Sequence, residues 1–194
     1  MMMGMSFGRR HNWKGGMMKH ILLALLLLFG MTGVVTADDY ELHLLRTAAE
    51  TGNMKAQYDL ALMYYTGQGV PQDYQQAVRW YTKAAEAGNM KAQHNLALMY
   101  DNGQGVPQDY QQAVRWYAKA AEAGNTKAQH NLAAMYFEGK GIPQDSVLAH
   151  VWANLAASQG QEDMVKKRDA IATFMTPQQI AEAQKLAREW KPVK

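Results

Sequence analysis

Few side chains in this sequence have the chemistry for catalysis or metal binding, and their spacing limits what they do. Of six histidines, His94 and His130 stand 36 residues apart in matching surroundings. On neighbouring helices they would lie about 10 Å from one another. Two imidazoles, in a chain with no cysteine and without a clear carboxylate partner, fall short of the three or four protein ligands of a zinc site. No metal and no other cofactor is expected. Asp73, Asp109 and Asp145 recur at the same period, each just ahead of a helix start, where capping of backbone N–H groups explains a carboxylate without catalysis. The turns Gly67-Gln68-Gly69 and Gly139-Lys140-Gly141 lack the spacing of a phosphate-binding loop, and no strand precedes them. No carboxylate pair stands apart from the recurrence. We assign no catalytic residue and read the chain as non-enzymatic.

The recurrence itself is the stronger signal. Gly52–Ala87 and Gly88–Ala123 differ at only five positions, and Gly124–Gln159 keeps Lys127, Ala128, Gln129, Leu132, Met135, Tyr136, Gly139, Gly141, Pro143, Asp145, Ala149, Trp152 and Ala156 in phase. A fixed period of this length signals stacked repeats, each contacting mainly its neighbours and presenting a long surface. Each repeat resolves into two helices. In the first, Ala56, Leu60, Met63 and Tyr64 form an apolar stripe. Gly67 and Gly69 end it, Val70 covers the turn, and Pro71 prevents continuation. Asp73 caps the second helix, with Gln76 placed as in a capping box. Ala77, Trp80, Tyr81, Ala84 and Ala85 repeat along it, and Gly88 ends it before Asn89 caps the next helix. The Trp and Tyr stripe, including Trp116 and Trp152, reads as core, and the alanines allow close helix approach. His43 and His150 fall on second helices, in packing or solvent positions.

These patterns predict an all-α fold, a right-handed solenoid of stacked antiparallel helix pairs. Residues 38–51 match a second helix lacking its first half, with Leu44 at the Trp80 position. Repeats follow at 52–87, 88–123 and 124–159. Residues 160–194 form a degenerate half-repeat and a capping helix, with Thr176 and Pro177 at its start, Ile180, Ala183, Ala187 and Trp190 inward, and Lys185, Arg188 and Lys191 outward.

Residues 1–37 read as a leader. Lys19 and His20 precede the apolar run Ile21–Phe29, and Val35-Thr36-Ala37 ends it with small residues where a signal peptidase reads. The apolar stretch is shorter than the ~20 residues of a spanning helix, so cleavage after Ala37 is expected and no stable membrane span after it. Residues 1–16 look foreign to both leader and repeats, with translation starting at Met17 or Met18 as the alternative. The leader holds Arg9, Arg10, Lys14 and Lys19 and no acid, so of 20 basic residues 16 remain against 17 acidic ones. That balance leaves no footprint for nucleic acid. The expected destination is the periplasm, with secretion from the cell as the second.

The string from Leu60 to Gly88, LALMYYTGQGVPQDYQQAVRWYTKAAEAG, resembles the Sel-1-like repeat, a bacterial relative of the tetratricopeptide repeat. Ala56, Leu60, Tyr64, Gly67, Gly69, Val70, Asp73, Ala77, Trp80, Tyr81, Lys83, Ala84, Ala85 and Gly88 carry the resemblance, which extends over about Tyr40 to Trp190. Ala61, Ala97 and Ala133 depart from it, standing where the family often has Gly. The resemblance implies a helix-pair solenoid whose first helices line the concave face, and relatives that act mostly as adaptors. Some relatives have been described as β-lactamase-like, but Ser6, Ser146 and Ser158 lack the S-x-x-K lysine such chemistry needs.

The differences between the two near-identical repeats are Tyr58/His94, Asp59/Asn95, Tyr65/Asp101, Thr66/Asn102 and Thr82/Ala118, four of them on the first helix. Together with Leu62, Leu98 and the third repeat's His130, Asn131 and Phe137, they form one face apart from the core stripe. A ladder of Tyr58, Asp59, Leu62, Tyr65, His94, Asn95, Leu98, Asp101, His130, Asn131 and Phe137 is therefore the expected site for a protein or peptide partner. Drift after a recent duplication is the competing explanation. The favoured function is an exported non-catalytic repeat scaffold binding through its concave face, in an envelope complex or outside the cell. The alternative is an envelope enzyme accessory, or a weak hydrolase acting on peptidoglycan or its fragments.

Overall fold

The structure is a computed structural model and describes residues 37–160 and 162–191. Among these residues there are nine helices and no strand: α1 Ala37–Glu50, α2 Met54–Thr66, α3 Tyr74–Glu86, α4 Met90–Asn102, α5 Tyr110–Glu122, α6 Thr126–Glu138, α7 Ser146–Ala157, α8 Glu162–Ala172 and α9 Pro177–Glu189. The chain divides into two compact units, Met1–Leu44 and Leu45–Lys194. Of the first unit, only the opening of α1 lies within the described residues. The expected leader lies outside them except for Ala37, the first residue of α1.

In the second unit, α2 pairs with α3, α4 with α5 and α6 with α7, and each pair packs on the next through α3 with α4 and α5 with α6. At the C-terminal end α7 packs against both α8 and α9. This is the all-α, neighbour-on-neighbour arrangement expected from the period.

The local reasons for the helices repeat with the sequence. Asn53, Asn89 and Asn125 accept the N–H groups of Ala56, Ala92 and Ala128, and Asp73, Asp109 and Asp145 those of Gln76, Gln112 and Leu148. Gly67, Gly103 and Gly139 close the first helices in the left-handed region, at φ 75°, 67° and 67°. The turn that follows is tied by a glutamine. Gln72, Gln108 and Gln144 each donate to the carbonyl seven residues earlier, on Tyr65, Asp101 and Phe137. The capping box expected at Gln76 does not form. The Asp73 N–H that Gln76 would reach already donates to the Tyr64 carbonyl at 2.9 Å. A complete box occurs at Thr176 and Gln179, ahead of α9.

The core combines large side chains with alanines. Tyr81, Tyr117, Leu60, Leu96 and Leu132 are fully buried among Ala77, Ala84, Ala113, Ala120 and Ala149, which let helix axes approach. Ala61, Ala97 and Ala133 are buried to the same degree, so a methyl is accommodated where the repeat pattern often has glycine. The tryptophans are less uniform than expected. Trp80 is buried, whereas Trp116 and Trp152 are half-buried. Lys83 and Lys119 place their ammonium groups 4.3 and 4.4 Å from the Trp80 and Trp116 ring centroids. Trp152 meets Trp190 edge-on at 5.9 Å.

Two further contacts hold consecutive repeats together. Buried Gln57, Gln93 and Gln129 donate across 3.1–3.2 Å to the carbonyls of Ala49, Ala85 and Ala121 at the end of the preceding second helix. The second glycine of the turn supplies the other. A Cβ on Gly105 would run into the Tyr74 carbonyl, and one on Gly141 would stand 2.5 Å from the Tyr110 carbonyl. Both glycines have positive φ, 73° and 72°. At Gly69 the same added carbon meets only the end of the Met63 side chain. Gly105→Ala and Gly141→Ala should therefore each cost about 3 kcal/mol or more, combining positive-φ strain with backbone collision, and Gly69→Ala about 1 kcal/mol. Urea unfolding of the three variants checks the ranking, and equal losses would remove backbone contact as the reason for these glycines.

Candidate functional site

The first helices α2, α4 and α6 lie side by side, and their variable residues are engaged with one another. Asn131 Nδ2 lies 3.4 Å from His94 Nε2, and His94 Nδ1 lies 3.2 Å from Asn95 Oδ1. Asn95 Nδ2 donates in turn to the Tyr81 hydroxyl at 3.0 Å. The chain closes with a neutral His94 that donates from Nδ1 and accepts at Nε2. It joins three successive repeats through α3, α4 and α6. His94 is 8% exposed, and its ring lies 5.9 Å from that of Tyr117.

A second pairing runs along the same side. The Tyr65 hydroxyl faces Gln104 Oε1 at 3.5 Å, and at the equivalent positions Lys140 binds Asp101 at 2.9 Å. The residue on the first helix and its contact in the next turn change together, an aromatic–amide pair becoming an ion pair. His130 accepts from Lys167 at 2.9 Å, and Phe137 meets Phe174 edge-on at 5.4 Å.

The expected ladder therefore needs correction in its character. His94 is buried, while Asn95, Asn131 and Asp101 are committed to repeat-to-repeat contacts. At one pair of positions the sequence difference is matched across the interface, Tyr65 with Gln104 and Asp101 with Lys140. Asn95 stands opposite a tyrosine hydroxyl, whereas Asp59 follows the half-repeat, which has Leu45 at the Tyr81 position. Leu62 is exposed, and Tyr58, Asp59, Tyr65, Leu98, His130 and Phe137 are half-buried.

Part of the ladder does open to solvent. An open depression of about 470 Å³ is lined by Tyr58 of α2, Lys91, His94 and Asn95 of α4, and Asn125, Thr126 and Lys127 at the start of α6. Tyr58, His94 and Asn95 were expected there. Lys91, Asn125, Thr126 and Lys127 were missed, because a lysine repeated at the start of every first helix reads as a solvated position. The sequence signal was the recurrence Lys55, Lys91, Lys127 itself. No three His, Asp or Glu gather as a metal site among the described residues, and none of their helices is long and apolar enough to cross a membrane.

Burial favours the neutral imidazole and holds His94, His130 and His150 below their ordinary pKa, with Lys127 adding to the effect at His94 and Lys167 at His130. Burial likewise raises Tyr81 and Tyr117 well above the usual phenol value.

The fold and this face define a stacked helix-pair repeat protein with a shallow open depression across its first helices. The Sel1 repeat family model matches residues 55–89, 91–125 and 126–161, more than half of the chain, and the chain belongs to that family. No curated protein sequence matches it. Among solved structures, it is similar to a Sel1 repeat protein from Oxalobacter formigenes, with 38% identity and TM-score 0.62 over 67% of this chain and 98% of that one. It is also similar to a protective antigen of uropathogenic Escherichia coli strains displaying an SLR fold, with 28% identity, TM-score 0.51 and 91% of this chain covered. The match spans 46% of that antigen. Cysteine rich protein B of Helicobacter pylori shares the fold at 23% identity, TM-score 0.53, over 69% of this chain and 98% of that one. This chain, without a cysteine, builds the same fold from core, cap and clamp contacts.

Two measurements test this account. Tyr81→Phe removes the acceptor of Asn95 and should cost about 1 kcal/mol, whereas the buried Tyr117 hydroxyl is near Asn131 but has no partner in good hydrogen-bond geometry among the described residues, so Tyr117→Phe should cost less in urea melts. The depressed histidines mean that the folded state binds fewer protons than the unfolded chain near the ordinary imidazole pKa of 6.5. Their contribution is complete above that value and is lost as pH falls through it. Unfolding free energy should drop between pH 7.5 and 5, and His94→Gln should flatten the slope, leaving the His130 and His150 share.

Proposed function

We propose that this protein is an exported, non-catalytic scaffold that holds an extended segment of a partner protein across its first helices. The observation that carries the reading is the open depression spanning three successive first helices, with an aromatic wall at Tyr58 and polar groups at Asn95 and Thr126. A preformed groove of this kind gives an extended chain both contact area and hydrogen-bond partners. Sel1 repeat proteins are in general protein-interaction scaffolds, and the fold is typically non-catalytic. Export is supported by the apolar run Ile21–Phe29 and the small residues at Val35 and Ala37, and the periplasm is the destination we favour. The near balance of acids and bases in residues 38–194 supports a protein partner over nucleic acid.

Site-specific photocrosslinking tests the docking face. Benzoylphenylalanine placed at Leu62 or Thr126 should capture the same partner in the protein's own cells, and placed at Arg79 or Arg115 on the exposed side of the second helices it should not. Equal capture from both sides would remove the first-helix face as the site. Fractionation of the same cells checks the destination, with the processed form expected in the periplasmic fraction.

A further inference from the structure

We infer that the groove selects an acidic segment, an extended peptide carrying two carboxylates two or three residues apart that are held by Lys91 and Lys127. The inference rests on the docking reading above and adds the chemistry of the occupant.

The charges of the groove carry the argument. Its lining includes two lysines and no carboxylate. Several other lysines are engaged, Lys140 with Asp101, Lys166 with Glu162, and Lys83 and Lys119 over tryptophan rings, while Lys55, Lys185 and Lys191 are exposed and lie outside the groove. Lys91 and Lys127 are exposed and form no ion pair among the described residues. Of the two acids on the first-helix face, Asp101 is paired with Lys140, and neither it nor Asp59 lines the groove. The positive charge is therefore local, because residues 38–194 as a whole hold slightly more acids than bases. His94, also in the lining, is buried with both ring nitrogens engaged by Asn95 and Asn131, and burial together with the charge of Lys127 lowers its pKa, so the charge offered to an anion is that of the lysines.

The spacing follows from the stack. Lys91 and Lys127 occupy equivalent positions on adjacent first helices, whose axes lie about 8–10 Å apart. An extended peptide rises about 3.3 Å per residue, so two or three residues cover that separation. Charge pairs at such an open site set preference and association rate more than raw affinity, and they weaken with salt. Tyr58 supplies the flat contact beside them.

The test uses the full chain and an array of 12-residue peptides in one Ser/Gly/Leu background, with two glutamates separated by one to six positions. Retention should peak at separations of two and three and fall at least tenfold when glutamine replaces glutamate or sodium chloride is raised. Lys91→Glu with Lys127→Glu should lose this binding and gain binding to the same array carrying lysine pairs, which shows that the double variant is folded. Lys166→Glu should change nothing. Peptides held without regard to acid or spacing, but lost in Leu62→Glu, would overturn the acidic preference and leave the docking face standing. A silent array together with failed crosslinking at Leu62 and Thr126 would overturn both. Retention of heparin, a soluble anionic glycan, with the peptides silent would overturn the assignment to a protein segment.

Discussion

The structure depends on how closely one helix pair is allowed to approach the next. The turns after α4 and α6 each lay a glycine against the backbone that opens the preceding second helix, at Gly105 on Tyr74 and Gly141 on Tyr110. That contact admits no side chain, so it sets the rise of the stack directly. The buried glutamine at the other end of the first helix fixes the same pair of repeats a second time, through the Ala85 or Ala121 carbonyl. Two fixed points per interface leave little freedom for one pair to slide on another. The alanine-lined core and the fully buried Tyr81 and Tyr117 fill the space so defined.

With the backbones held at that distance, side chains on neighbouring first helices meet, and one difference between otherwise equal repeats is matched by its contact. Position 94 reaches position 131, and position 101 reaches position 140. The exchange is matched across the interface at one pair of positions, while Asn95 and Asn131 are the same residue beside Tyr58 and His94. Tyr65 with Gln104 becomes Asp101 with Lys140. The groove is lined partly by residues of that packing, His94 and Asn95, and partly by Tyr58, Asn125, Thr126 and two lysines with no acid in the lining.

Several groups of chemical interest among the described residues have structural uses, the aspartates as caps, the histidine at 94 as a link, the lysines at 83 and 119 over tryptophan. A solenoid disperses its functional groups along a surface, whereas catalysis needs several of them converging on one enclosed point.

The sequence alone determined the period, the two helices of each repeat, their caps at Asp73 and Asn89, the left-handed glycine at 67 and the family resemblance. All of these arise from contacts within a few residues or from identity between copies. It marked the first-helix face as variable without showing which of its residues meet a neighbouring repeat. Whether His94 is open or covered, and whether Asp101 is a free acid or half of an ion pair, depends on a neighbour 36 to 39 residues away. Tertiary structure decided those points, and with them the place of Lys91 and Lys127. A lysine repeated at a helix start looks the same in sequence whether it faces bulk water or a groove, and only the stacking of α4 beside α6 distinguishes the two.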